Sequence, residues 1–243
     1  MTNRQPALLP CLVAGLLLTL PAFAAPTADE LLQNWVKAIG GRAALEKITS
    51  RTASGSIEIT TAGITADFAF KAKAPSQRLT EVVVANFGTV REGYDGKVAW
   101  SVNPATGPTD KSGKELARIK REATFNRELQ FKNLYSKLEV TGSTKIQDRD
   151  VWLLKATTAE NDVESFAFDA KTGLLIRQQA TVEGPNGLMD TEVMLEDYRE
   201  VDGIKVPFLI RMVAPPEMTF QIRFKEFRHN QSIPDSEFKR PAN

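Results

Sequence analysis

The chain has 243 residues, with 31 Lys and Arg against 30 Asp and Glu, one His and one Cys. Setting aside the first 24 residues, whose only charge is Arg4, leaves 30 basic and 30 acidic groups, and this neutral balance argues against the clustered cations of a nucleic-acid binder. One Cys excludes a disulfide framework, and one His excludes a His-rich metal site.

Arg4 precedes an uncharged stretch over 7–23 that carries Leu12, Val13, Leu16, Leu17, Leu18 and Leu20. Pro21 breaks the run, and Ala22 and Ala24 place small residues at the −3 and −1 positions of a cleavage after Ala24. These are the three parts of a secretory signal peptide, so export to the periplasm with cleavage near Ala24 is expected. Cys11 lies inside the apolar run and not at its end, so it is no lipidation site, and the mature chain 25–243 would contain no Cys.

Thr27 and Glu30 have the spacing of a capping box. Leu31, Leu32, Trp35, Val36 and Ile39 follow on one helical stripe that Gly40 and Gly41 end, and 42–48 reads as a second short helix. From Thr52 the period changes to two. Residues 52–59 and 64–71 form a hairpin through Ala62-Gly63, 79–86 is a strand, and 98–102 leaves a turn at Tyr94-Asp95-Gly96-Lys97. The Pro- and Gly-rich 103–113 reads as a loop, and Ser112 and Glu115 suggest a second capping box opening a helix through Leu129, with Leu116, Ile119 and Ala123 on its apolar face. Seven further strands follow at 138–146, 151–158, 163–169, 174–183, 191–201, 205–214 and 219–229. Their short links cannot make parallel crossovers. The expected fold is α+β and mainly antiparallel: one domain over 25–243, in which about three helices lie on the concave face of a single strongly curved sheet of about eleven strands, an incomplete barrel.

No mature Cys, no Gly-x-Ser-x-Gly elbow and no phosphate-binding glycine loop occurs, and the one His, His229, reads as a surface or edge residue of the last strand. Asp148, Asp150, Glu160 and Asp162 are close in sequence but fall in two tight turns, where Asp serves the backbone. The expectation is therefore a protein that is not an enzyme and holds no metal or cofactor. What remains is apolar surface. Leu31, Trp35, Ile39, Leu116 and Ile119 on the helices, with Phe68, Phe70, Trp100, Phe166 and Phe168 on the strands, would line a hydrophobic cavity under a helical lid. Phe220 and Phe224 add to the aromatic supply, and complete filling of the space by side chains is the alternative.

The helix pair at Ala28-Asp-Glu-Leu-Leu32 and Ala38-Ile-Gly-Gly-Arg-Ala-Ala-Leu-Glu46 resembles the start of proteins in the outer-membrane lipoprotein-sorting (LolA/LolB-like) superfamily. So do Tyr94-Asp-Gly96 with Trp100, Phe168-Asp169 with Thr172-Gly-Leu-Leu175, Asp197-Tyr198 with Asp202-Gly203 and Pro207, and the closing Ile233-Pro-Asp235, Phe238 and Pro241. The resemblance covers the mature chain and points to the broad branch of the superfamily, not its dedicated carrier. It implies a half-barrel with helices across its concave side, and a non-enzymatic carrier that holds lipoprotein acyl chains or another lipid as a monomer. It also implies 103–129 as the lid region, with Arg78 and Arg91 as candidates for a lid-locking arginine. The rival readings are an envelope module that binds a partner protein by its sheet edges and, below that, a carboxylate-based hydrolase.

Overall fold

The computed structural model describes residues 25–184, 187–214 and 218–241. The expected signal segment, 1–24, lies outside them. Helices α1 (Ala28–Ala38) and α2 (Arg42–Glu46) precede strands β1 (Ser50–Ile59), β2 (Ile64–Lys73), β3 (Gln77–Val84), β4 (Gly88–Tyr94), β5 (Ala99–Asn103) and β6 (Gly107–Asp110). Helices α3 (Gly113–Ala123) and α4 (Arg127–Gln130) follow. The chain then forms β7 (Lys137–Ile146), β8 (Arg149–Thr157), β9 (Val163–Asp169), β10 (Leu175–Gly184), β11 (Gly187–Val201), β12 (Ile204–Ala214) and β13 (Met218–His229). All thirteen strands join one sheet in the order β6-β5-β4-β3-β2-β1-β13-β12-β11-β10-β9-β8-β7. Every pairing is antiparallel, so two meanders meet where β1 pairs β13.

The sheet exceeds the eleven expected strands by two. Strand β4 was missed because Thr89–Gly93 alternates valine with charge and glycine too briefly to read as a strand. Strand β6 contains Pro108, which read as loop; it is an edge strand bonded only to β5, where a missing N–H is tolerated. Four helices replace three, because the expected helix over 112–129 breaks after Ala123. Thr124 turns extended (ψ 113°), Asn126 adopts φ 47°, and the Asn126 amide donates to the carbonyls of Leu45 and Ile48 at the end of α2. A tertiary contact thus outweighs helix propensity here. The Thr27–Glu30 capping box forms as read, whereas Ser112 makes no cap bond: Gly113 enters the helix at φ 55°, and Glu115 pairs with Lys111 at 2.8 Å.

Curvature follows from what α3 touches. Its Ile119 and Ala123 pack on Tyr94 of β4 and Ala99 of β5, while its Arg121 reaches Glu160 at 2.9 Å and Glu164 of β9 at 3.2 Å. Eight strand-to-strand steps separate β4 from β9; laid flat, they would span about 38 Å at ~4.8 Å each. An eleven-residue helix is about 16 Å long. The sheet must curl for one short helix to touch both arms, and α3 then spans the open side.

The main core lies under α1. Leu31, Leu32, Trp35 and Ile39 pack with Phe131, Leu154, Phe166, Phe168, Leu175, Ile204 and Val206, all nearly excluded from solvent. Trp35 sits edge-on to Phe131 (5.6 Å) and Phe168 (5.5 Å). On the opposite face the C-terminal segment docks through Phe238, which is fully buried beside Trp100, Leu79 and Ile233, and the Trp100 indole donates to the Phe238 carbonyl at 2.9 Å. Lys71–Glu237 and Lys73–Asp235 pin the same segment.

His229 is not a surface or edge residue. It is 5% exposed at the end of β13, paired with Arg51 of β1 and covered by Asp202 from the β11–β12 turn. Its Nδ1 meets Asp202 Oδ2 at 3.1 Å, and its Nε2 accepts from Arg51 Nε at 3.3 Å. A neutral ring protonated on Nδ1 satisfies both contacts. Burial and then the Arg51 charge lower its pKa, against the opposing pull of Asp202. The unfolded chain therefore takes up this proton first as pH falls. The stability that the neutral ring contributes is complete above the ordinary imidazole value of 6.5 and is lost as pH drops from there toward the lowered folded value. Urea midpoints measured from pH 7.5 to 5 should fall across that window, and His229→Gln should flatten the dependence. Phe238→Ala, which empties a fully buried ring site, should cost about 3 kcal/mol in urea unfolding.

Candidate functional site

The α3-bearing face of the sheet has two halves. The half beneath α1 is close-packed core, with a cleft of about 560 Å³ between the flank of α1 at Leu32 and Val36 and the 128–133 segment. Toward the turns at 60–63 and 85–87 and the neighbouring ends of β12 and β13 the strands run on past the helices, and alternation keeps the same face apolar.

Register assembles three cross-strand rows there. The first runs Val90, Val82, Phe68, Gly55 and Phe224; the second Ala66, Ile57, Ile222, Ile210 and Leu195; the third Ile64, Ile59, Phe220, Met212 and Val193. Ala66, Gly55 and Phe68 are buried, Ile64 is exposed, and the rest are half-buried. Phe68 and Phe224 meet edge-on at 5.6 Å, and the aromatic series continues through Phe227 (4.6 Å) to Phe208 (5.1 Å), which belongs to the α1 core. The rows are thus an extension of the core face that no helix covers among the described residues. Gly55 is required in the first row, since a Cβ there would lie 2.0 Å from the Arg223 carbonyl oxygen at the β13 bulge.

Next to these rows, under the α3–α4 link, the face turns polar. Arg78 bonds Glu122 of α3 at 3.1 Å, lies 3.5 Å from Glu92, and sets its guanidinium 6.0 Å from the Phe70 ring. Arg118 closes on the same Glu122 at 2.7 Å. Desolvation opposes the Glu122 charge, yet Arg78 and Arg118 outweigh it and hold the pKa below the ordinary carboxylate value. On the other side of α3, Arg121 bonds Glu160 and Glu164, and Lys114 of the first turn bonds Asp162 at 2.6 Å. Arg78 therefore clamps the helix to the sheet. Arg91 pairs with Glu81 instead, on the face that carries the C-terminal segment.

The sequence-derived lining residues divide among four places. Leu31, Trp35, Ile39, Phe166 and Phe168 come together, but as close-packed core. Leu116 and Ile119 pack on Tyr94 and Ala99 in a separate cluster. Trp100 faces away from α3, its ring stacked over Gly93 beneath the C-terminal segment. Phe68 and Phe70 lie on the α3-bearing face, Phe68 within the open rows. The aliphatic members of those rows, Ile57, Ile222, Ile210 and Leu195, were recognisable as strand residues; only the order of strands sets them side by side. Asp148 and Asp150 stand at the opposite end of β8 from Glu160 and Asp162, and no group of three or more His, Cys, Asp or Glu side chains with metal-holding geometry occurs among the described residues.

Neither family models nor curated protein sequences give a match to this chain. Solved structures do. A LolA superfamily protein from Nitrosomonas europaea superposes with a TM-score of 0.59 at 14% identity, over 89% of this chain and 99% of that one. A DUF1329 family protein from Desulfovibrio piger gives 0.59 at 14% identity, over 87% and 96%. A putative outer membrane lipoprotein-sorting protein domain from Vibrio parahaemolyticus gives 0.58 at 13% identity, over 78% and 89%. A curled antiparallel sheet with helices across one face, matched over nearly the full length of these proteins, gives the chain a LolA-like fold.

Proposed function

We propose that this protein is a periplasmic carrier or binding protein that shelters an acyl chain, of a lipid or a lipoprotein, on the open apolar half of its sheet. The observation that carries this reading is the set of three contiguous apolar rows left half-exposed beside a helix that bridges the two arms. Contiguous apolar surface of this kind marks an interaction site in a soluble protein. The structural neighbour described as a lipoprotein-sorting domain supports the same direction through shared fold. The site differs from the cavity expected under α1, since that region is filled by its own side chains.

Burial of about ten methylenes contributes roughly 8 kcal/mol, the scale of micromolar affinity before association costs. Binding by strand addition is the weaker reading: the exposed edge of β7 carries Lys137, Glu139 and Lys145, and such charges blunt an edge against pairing.

Delipidated protein should bind 11-(dansylamino)undecanoic acid with micromolar affinity and an emission blue shift. Ile222→Asp, at the centre of the second row, should weaken binding by at least about 30-fold, since a carboxylate would be desolvated beneath the chain. Val98→Ser, an exposed apolar position in the turn at the other end of the sheet, should leave it unchanged. Absence of binding by the unmodified protein would overturn the reading.

A further inference from the structure

Arg51 is the one arginine of β1 and lies on the α3-bearing face. It is partly buried, with the Phe125 ring of the α3–α4 link 5.9 Å from its guanidinium carbon. Only its Nε is engaged, with His229; among the described residues its two terminal nitrogens have no hydrogen-bond or carboxylate partner. A guanidinium fork left open in this way has the planar geometry that takes a carboxylate or phosphate in two parallel hydrogen bonds.

The fork opens on a small cavity of about 90 Å³ lined by Arg51, Arg78, Arg127, Glu122, Glu128 and Asn126, together with Ala72 and the 123–125 backbone region. That exceeds the ~30 Å³ of one water in the liquid and suits a compact headgroup. Glu122 is already held by Arg78 and Arg118, which leaves the field around Arg51 balanced chiefly by Glu128. Two buried oxygens at this level also lack partners, Asn126 Oδ1 and, one row along the sheet, Thr80 Oγ1. Such atoms are ordinarily satisfied by an ordered water or by a polar group of a ligand.

The cavity also has a direction. On the same face of β1, Arg51 is followed by Ala53, Gly55, Ile57 and Ile59, so this strand raises nothing larger than a methyl between the guanidinium and the apolar rows. Phe70 and Phe68 from β2 and Phe227 and Phe224 from β13 lean over it, Phe68 and Phe224 meeting at 5.6 Å above the buried Gly55, so that a chain following β1 runs across these rings. From Arg51 to Ile59 is about 27 Å of strand.

We infer that Arg51 receives the acidic headgroup of a single-chain amphiphile, a carboxylate or phosphate carried on an acyl chain that runs along β1 toward Ile57 and Ile59. This rests on the reading of the apolar rows as the ligand surface and makes that ligand anionic. Charge-assisted bidentate pairing to the fork then separates acids from neutral lipids of equal length.

The test is displacement of 11-(dansylamino)undecanoic acid by palmitate and by hexadecanol. On the unmodified protein palmitate should be at least about tenfold the better competitor. Arg51→Met should abolish that preference while leaving hexadecanol unchanged, and Arg51→Lys should restore part of it. Free inorganic phosphate at millimolar concentration should not compete, because it lacks the chain. Equal competition by acid and alcohol on the unmodified protein, which needs no variant to fold, overturns this inference and leaves the apolar surface standing. Competition by inorganic phosphate overturns the assignment to a headgroup, and failure of both palmitate and hexadecanol overturns the surface itself.

Discussion

Four short helices must cover one face of a thirteen-strand sheet, and they cannot. Helix α1 seals the arm formed by β8 to β12 through Trp35 and its neighbours, and α3 reaches across to β4 and β5. The strands continue beyond both. Nothing in the local chemistry of those strands changes where the helices stop: Ile57, Ile210 and Ile222 are as apolar as the buried Leu154 and Ile204. An interior face is therefore left open to solvent, and the curl of the sheet turns it into a trough instead of a flat patch.

The bridge across that trough is held by charge. Helix α3 buries little apolar surface of its own beyond Ile119 and Ala123, and ion pairs hold it on two sides: Arg78–Glu122 to one arm, Arg121 with Glu160 and Glu164 to the other. These side chains are only 9–32% exposed, so the pairs are largely desolvated, and removing one partner leaves the other charge uncompensated. Helix α1 is held by packing instead, its Trp35 and Leu31 locked into the core. The break at Thr124–Asn126 sits at one end of α3, where Asn126 is fastened to α2. A helix held by packing and a helix held largely by charge thus lie side by side over one sheet.

The same geometry separates two faces with different tasks. The outer face receives the C-terminal segment through Phe238 and Trp100, an apolar lock with ion pairs at its rim. The inner face passes from close-packed core through a charged belt at Arg51, Arg78 and Glu122 to the open apolar rows. An amphiphile would meet a graded environment along one strand direction, polar at the level of the α3–α4 link and hydrocarbon-like toward the hairpin tips.

Much of this was legible in the order of residues. Periods of two and 3.6, the Thr27 capping box and short turns were enough for an antiparallel sheet with few helices, because these signals depend on neighbours within a few residues. Strand β4 and Pro108-containing β6 escaped because their backbone is held by partners and not by their own composition. The sequence also ranked Trp100 with Phe68, whereas they occupy opposite faces: alternation tells which residues of one strand share a side, but the side itself is assigned only when α3 and the C-terminal segment choose where to pack. His229, Arg51 and Asp202 come together for the same reason, from three elements far apart in the chain. What tertiary structure alone decided is the alignment of Ile57, Ile222, Ile210 and Leu195 into one row and the limit of helical cover above them, since both are set by contacts between segments that no local pattern encodes.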